Sequence, residues 1–147
     1  MTIRSYRSVR RMWLLLITSL SLFGCASGPP FQSAASVPSD KAIIYVYRPS
    51  VMHGAIYSPS VTVGSNAPVA LSNGGYFTTF VLPGNVLVSI SNVGKRSLTV
   101  SAVAGESYYV KGGTVLMAGG YPALSMVPQE TALPEIKECK LIESRQP

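Results

Sequence analysis

From Lys41 onward, short runs of alternating residues rich in Val, Ile, Tyr and Thr are each closed by Gly, Pro or Asn before a long helix can form. This pattern constrains the fold more than any other feature of the chain. A period of two places successive side chains on opposite faces of a strand, whereas a helix needs a period near 3.6. Lys41 to Arg48 sets Ile43, Tyr45 and Tyr47 on one face and Ala42, Ile44 and Val46 on the other. Both faces are apolar, so a central strand is expected there, ended by Pro49. Ser60–Val63 and Pro68–Leu71 are expected to form a hairpin across Gly64-Ser65-Asn66, whose residues tolerate positive φ. Further strands are expected over Tyr76–Leu82, Val86–Ser91, Leu98–Val103 and Ser107–Lys111. Pro83-Gly84 and Gly105 supply turns between them. Gly112-Gly113 and Gly119-Gly120 are read as the ends of a small segment over Thr114–Ala118, followed by a last strand over Ala123–Val127.

Beyond Glu130 the spacing changes. Leu133, Ile136 and Cys139 recur every third residue, with Glu130 and Glu135 early and Lys140 late, as a helix dipole favours. A short C-terminal helix is expected, with Pro134 in its first turn and with Ile136 and Cys139 laid on the sheet. Many short strands with no helix between them point to a mainly β fold, a small antiparallel β-sandwich or open barrel spanning residues 40–147.

The N-terminus has a different logic. Arg4, Arg7, Arg10 and Arg11 precede the apolar run Met12–Phe23, and no acidic residue appears before Asp40. Basic, then apolar, then small is the layout of a secretory signal. A run of about 12 residues spans roughly 18 Å as a helix, well short of the ~20 residues a bilayer core requires. Residues 1–24 are therefore expected to be a removable signal. Arg10-Arg11 before the apolar run has a faint likeness to a twin-arginine signal, but the strongly apolar run favours the general secretion route. Residues 26–39 are mostly Ala, Ser, Gly and Pro. They read as a flexible tether of roughly 20 Å root-mean-square span, too poor in apolar surface to fold.

Charge and chemistry exclude more than they propose. Four of the 12 basic residues lie in the signal, so the formal charge falls from +6 for the whole chain to +2 without it. No clustered basic face remains to favour nucleic acid. The single histidine, His53, and the single aspartate, Asp40, have no metal-ligand spacing with Cys139, and no metal or other cofactor is expected. Glu106 is the only acidic residue between Asp40 and Glu130, and no Gly-x-Ser-x-Gly elbow occurs, so no catalytic residue is assigned. Gly94-Lys95-Arg96-Ser97 lacks the preceding glycine of a phosphate loop and reads as a hairpin tip. Cys139 is expected to be a buried apolar residue.

Two resemblances sharpen this reading. Leu22-Phe23-Gly24-Cys25 resembles the lipobox of bacterial lipoproteins, which implies cleavage between Gly24 and Cys25 and a lipid on Cys25. In a host with two membranes Ala26 at the next position implies sorting to the outer membrane, facing the periplasm; in a host with one membrane the protein stays on its outer face. In the domain, Tyr45-Val46-Tyr47-Arg48-Pro49, Gly75-Tyr76-Phe77, Val81-Leu82-Pro83-Gly84 and Ala104-Gly105-Glu106-Ser107-Tyr108-Tyr109-Val110 resemble small bacterial lipoproteins carrying a domain of unknown function. They also resemble PEGA-type and transthyretin-like surface modules, although Val63-Gly64-Ser65-Asn66 stands where such modules carry an Asp-Gly turn. The resemblance implies a sandwich and no catalytic residue. The function expected is a non-enzymatic, lipid-anchored module that binds or braces an envelope protein or glycan. The alternative is an envelope enzyme acting on cell wall or glycan. Exposed tyrosines suit such partners, and Tyr57, Tyr121 and whichever of Tyr108 and Tyr109 faces outward are the candidate anchors.

Overall fold

A computed structural model describes residues 28–52, 57–91, 96–115 and 121–142. Two sheets face one another. The first has five strands in the order β8-β7-β1-β4-β9, the second four in the order β3-β2-β5-β6. The strands are β1 (Ala42–Arg48), β2 (Ser60–Val63), β3 (Val69–Ala70), β4 (Gly75–Val81), β5 (Gly84–Ser91), β6 (Arg96–Ala102), β7 (Ser107–Val115), β8 (Tyr121–Val127) and β9 (Lys140–Leu141). One helix, α1 (Gln129–Lys137), separates β8 from β9. The mainly β sandwich with a C-terminal helix is as the sequence implies.

β1 is central, and all seven of its residues are buried. The reason is a third layer. Ile44 and Val46 point between the sheets, where they meet Val61, Leu71, Phe77, Val88, Ile90, Val100 and Val110. Ile43, Tyr45 and Tyr47 point the other way and are covered by Ala132, Ile136 and Cys139 of the helix region and by Phe31, Ala34 and Val37. A strand covered on both faces reads as a continuous apolar run.

The expected hairpin forms with Ser60 opposite Ala70 and Val61 opposite Val69. Its turn is closed by the Asn66 N–H on the Val63 carbonyl at 3.1 Å, with Gly64 at φ 58°. Pro83-Gly84 is a different kind of turn from a hairpin. β4 lies in one sheet and β5 in the other, so these residues carry the chain across the sandwich.

Four features differ from the sequence reading. First, the larger sheet is mixed: β7 pairs with β1 in parallel, as does β9 with β4. β7 arrives from β6 in the opposite sheet, so nothing forces it to run antiparallel to β1. Second, Gly112-Gly113 does not end a strand; β7 continues through both to Val115 and pairs with β8 along its whole length from Tyr109. A Cβ on Gly112 would lie 2.4 Å from Leu71 Cδ2, so this glycine permits close packing and not reversal. Third, Pro134 sits inside α1, beyond its first turn, where it has no N–H to donate to the carbonyl of the exposed Glu130 four residues back. Fourth, the region read as a tether is in part docked, as described next.

Candidate functional site

The outer face of the larger sheet is lined by tyrosines. β1 contributes Tyr45 and Tyr47, β4 Tyr76 and β7 Tyr109. Their shared face follows from the register, in which Tyr45 lies opposite Tyr109 and Tyr47 opposite Tyr76. Tyr45 and Tyr109 stack with ring centroids 5.0 Å apart and planes 9° apart. Burial raises the Tyr109 hydroxyl above its ordinary value, with Tyr45 adding to the effect.

Residues 30–37 form a strap across this platform. Phe31 meets Tyr45 and Tyr76 edge-on, with centroids 5.6 and 5.1 Å away. The Ala34 N–H donates to the Tyr45 hydroxyl at 2.9 Å and the Gln32 N–H to that of Tyr76 at 3.4 Å. Pro30 bridges to Lys140, and the Leu141 N–H donates to the Pro29 carbonyl at 2.9 Å. Composition alone marked this stretch as too apolar-poor to fold. It orders because the tyrosines supply acceptors for its backbone as well as apolar surface.

The helix is held over the other half of the platform by a polar triad. Tyr47 donates to Glu135 Oε2 at 2.6 Å, and Lys111 Nζ pairs with Oε1 at 2.5 Å. The hydrogen bonds from Lys111 and Tyr47 hold the Glu135 carboxyl below its usual range, outweighing partial burial. Burial, then the Glu135 carboxylate, pushes the Tyr47 hydroxyl far above its ordinary value, so it remains a donor. Both carboxylate oxygens are engaged, one by a side chain of β1 and one by a side chain of β7, so the triad acts as a latch of the helix on the sheet. Beneath it Cys139 is a buried free thiol, with Sγ 3.5 Å from the Arg48 carbonyl and 3.6 Å from that of Glu135. Desolvation first, and the Glu135 charge second, push its pKa up to about 11.

Arg48 closes β1 as a buried guanidinium, its pKa lowered by desolvation. Nη1 donates to the Tyr57 carbonyl and, at 3.3 Å, to that of Leu71. It thereby ties the loop after β1 to the end of β3. The one charge at the end of an otherwise apolar run is the local signal for such a role. Nothing in the spacing of Tyr47, Lys111 and Glu135 announces the triad, because they come from three distant elements.

The residues singled out in the sequence are scattered. Gly24, Cys25 and His53 lie outside the described residues, as does the side chain of Tyr121, whose backbone pairs with Val115 at the start of β8. Tyr57 is half-buried, and its hydroxyl has no hydrogen-bond partner among the described residues. Tyr108 and Tyr109 do face opposite ways, Tyr108 half-buried and Tyr109 buried. Tyr108 packs against the core between the sheets and accepts a hydrogen bond from the Val103 N–H at 3.0 Å, while Tyr109 is buried in the platform. Of the two, Tyr108 is the more exposed. Asp40 and Glu106 are exposed in turns. Among the described residues, no group of three or more His, Cys, Asp and Glu side chains could hold a metal ion.

Residues 38–120 match DUF2846, a family described as protein of unknown function. The chain belongs to this family. The DUF2846 match covers β1 through β7, more than half of the chain, and stops short of β8, α1 and β9. The docked part of the strap also precedes it. The tyrosines of the platform thus fall within the DUF2846 region, whereas the segments that cover them fall outside it. No curated protein matches the chain.

Proposed function

We propose that this protein is a lipid-anchored bacterial envelope module of the PEGA-like kind, without catalytic activity, which binds or braces another envelope protein or glycan. The observation that carries the reading is the order of the first 28 residues. A basic and apolar leader ends in Leu22-Phe23-Gly24-Cys25, and the chain joins the folded domain only three residues later, where Gly28 lies against Leu141. A lipid on Cys25 would hold such a domain at a membrane surface, and two or more acyl chains give firm attachment. The outer membrane, on its periplasmic side, is the location proposed. Among the described residues, no helix is long and apolar enough to cross a membrane. The latch and the platform are occupied by the protein's own segments, which favours recognition over chemistry.

Mass spectrometry of the protein purified from membranes tests the anchor. The expected N-terminal residue is Cys25 carrying acyl chains, and Cys25→Ser should leave the leader attached or release the domain from the membrane. An unmodified Cys25, or a mature N-terminus elsewhere, overturns the reading. Crosslinking in intact envelopes tests the binding role, where a discrete heterologous adduct to the folded domain is expected.

A further inference from the structure

The anchor and the fold together define which edge of the domain meets the membrane. From Cys25 to Gly28 there are three peptide links, a reach of roughly 11 Å at ~3.6 Å each. Because the chain is docked from Gly28 onward, these three links are all that separate Cys25 from the folded domain. Gly28 sits so close to Leu141 that a Cβ there would lie 2.0 Å from the Leu141 carbonyl oxygen. The contacts then run on without a break. Pro30 bridges to Lys140, and the Lys140 N–H donates to the Gly74 carbonyl at 2.9 Å. Beside Gly74, Asn73 grips the next loop: Oδ1 accepts from the Val51 N–H and Nδ2 donates to the Val51 carbonyl, both at 3.0 Å. That grip presents two apolar side chains to the outside. Val51 is 44% exposed and Met52 91%. Lys140 is exposed on this edge, and Lys137 and Glu138, shortly before it in the chain, are exposed too.

We propose that the edge formed by Val51, Met52, Asn73-Gly74 and Lys140 is a membrane-docking surface that lies on the bilayer holding the Cys25 lipid, with Met52 reaching into the interface. The inference rests on the lipid-anchor reading. The occupant follows from where the described chain begins: the surface around Gly28 can lie no farther from the lipidated residue than the short link allows. Methionine is flexible and polarisable, suited to an irregular apolar medium. The net positive charge of Lys137, Glu138 and Lys140 complements anionic headgroups. Docking fixes the orientation of the sandwich and leaves the outer face of the second sheet, with Leu87 and its Ser and Thr neighbours, directed away from the membrane.

The test uses the full protein, purified as the mature species and placed in phosphatidylethanolamine–phosphatidylglycerol vesicles. Met52→Cys and, separately, Leu87→Cys are labelled with an environment-sensitive dye; Leu87 is 52% exposed. Cys139 is buried, and Cys25 is blocked by its lipid in this reading. Spin-labelled lipids in the bilayer are expected to quench the dye at position 52 several-fold more than at position 87. Equal quenching at the two positions, or none at 52, in protein shown to be acylated and vesicle-bound, overturns the docking surface and leaves the anchor standing. An unacylated Cys25 overturns the anchor, and the docking surface falls with it.

Discussion

The hydroxyl of Tyr45 accepts a hydrogen bond from the backbone N–H of Ala34 at 2.9 Å. Through this contact and its counterpart between Gln32 and Tyr76, an extended segment is held on a sheet without becoming one of its strands. Removing only the acceptor isolates the effect. Tyr45→Phe keeps the ring that stacks on Tyr109 and meets Phe31. It should cost about 1 kcal/mol, the worth of one partly buried hydrogen bond. Amide hydrogen exchange should show the Ala34 N–H losing protection while β1 keeps its own. If Ala34 exchanges equally fast in the parent, the strap does not dock in solution.

The latch on α1 makes a pH prediction. The carboxyl of Glu135 is held below its ordinary 4.5 by Lys111 and Tyr47. A carboxyl lowered in the folded state contributes stability that is present above its unfolded pKa and is lost as pH falls through the folded value. The domain should therefore lose stability from about pH 5 downward, with the helix loosening first. Glu135→Gln retains an acceptor for Tyr47 but not the charge for Lys111. It should cost about 1 kcal/mol at neutral pH and flatten the acid dependence of the thermal midpoint. An unchanged slope below pH 5 in the variant would place the acid sensitivity in other carboxyls.

Much of this architecture was legible from spacing alone, and the exceptions have physical causes. The six apolar residues of β1 from Ala42 to Tyr47 announce themselves because a strand covered twice is apolar on both faces. The Gly64 turn and the C-terminal helix carry equally local signals. The strap does not, since its order depends on tyrosine hydroxyls contributed by β1 and β4. The latch joins residues from three elements, and no local pattern encodes it. Tyr108 and Tyr109 show the limit most clearly. Their alternation is local, but what covers each face is set by the second sheet and by the helix.

Gly112 and Gly113 offer a contrast within one strand. A Cβ at Gly112 would lie 2.4 Å from Leu71 Cδ2, and Leu71 is fully buried in the core between the sheets. A Cβ at Gly113 would meet nothing within 4 Å. Gly112→Ala should thus cost about 1–3 kcal/mol through overpacking. Gly113→Ala should be neutral or stabilising by about 0.5 kcal/mol, because alanine loses less backbone entropy on folding. Thermal or denaturant unfolding of the two variants decides the matter. Equal effects would mean that the close approach to Leu71 is not why glycine stands at 112.

Cys139 should behave as a structural thiol. Only the thiolate reacts, and burial together with the nearby Glu135 carboxylate pushes its pKa up to about 11. The folded protein therefore carries a neutral thiol, and the stability that comes from keeping it neutral declines as pH rises past the ordinary 9.0 toward that value. At pH 8, alkylation of Cys139 should be slow and should keep pace with opening of α1. Glu135→Gln should speed it in two ways, by loosening the helix and by removing a charge that opposes the thiolate. Size and polarity at this site can be separated by substitution. Cys139→Ala leaves a small void beside Ile136 and should cost about 1 kcal/mol, whereas Cys139→Asp sets a charge among Tyr47, Ile136 and the sheet and should cost several times that. Rapid labelling of the native protein, with a thermal midpoint unmoved by Cys139→Asp, would show that the helix does not cover the thiol in solution.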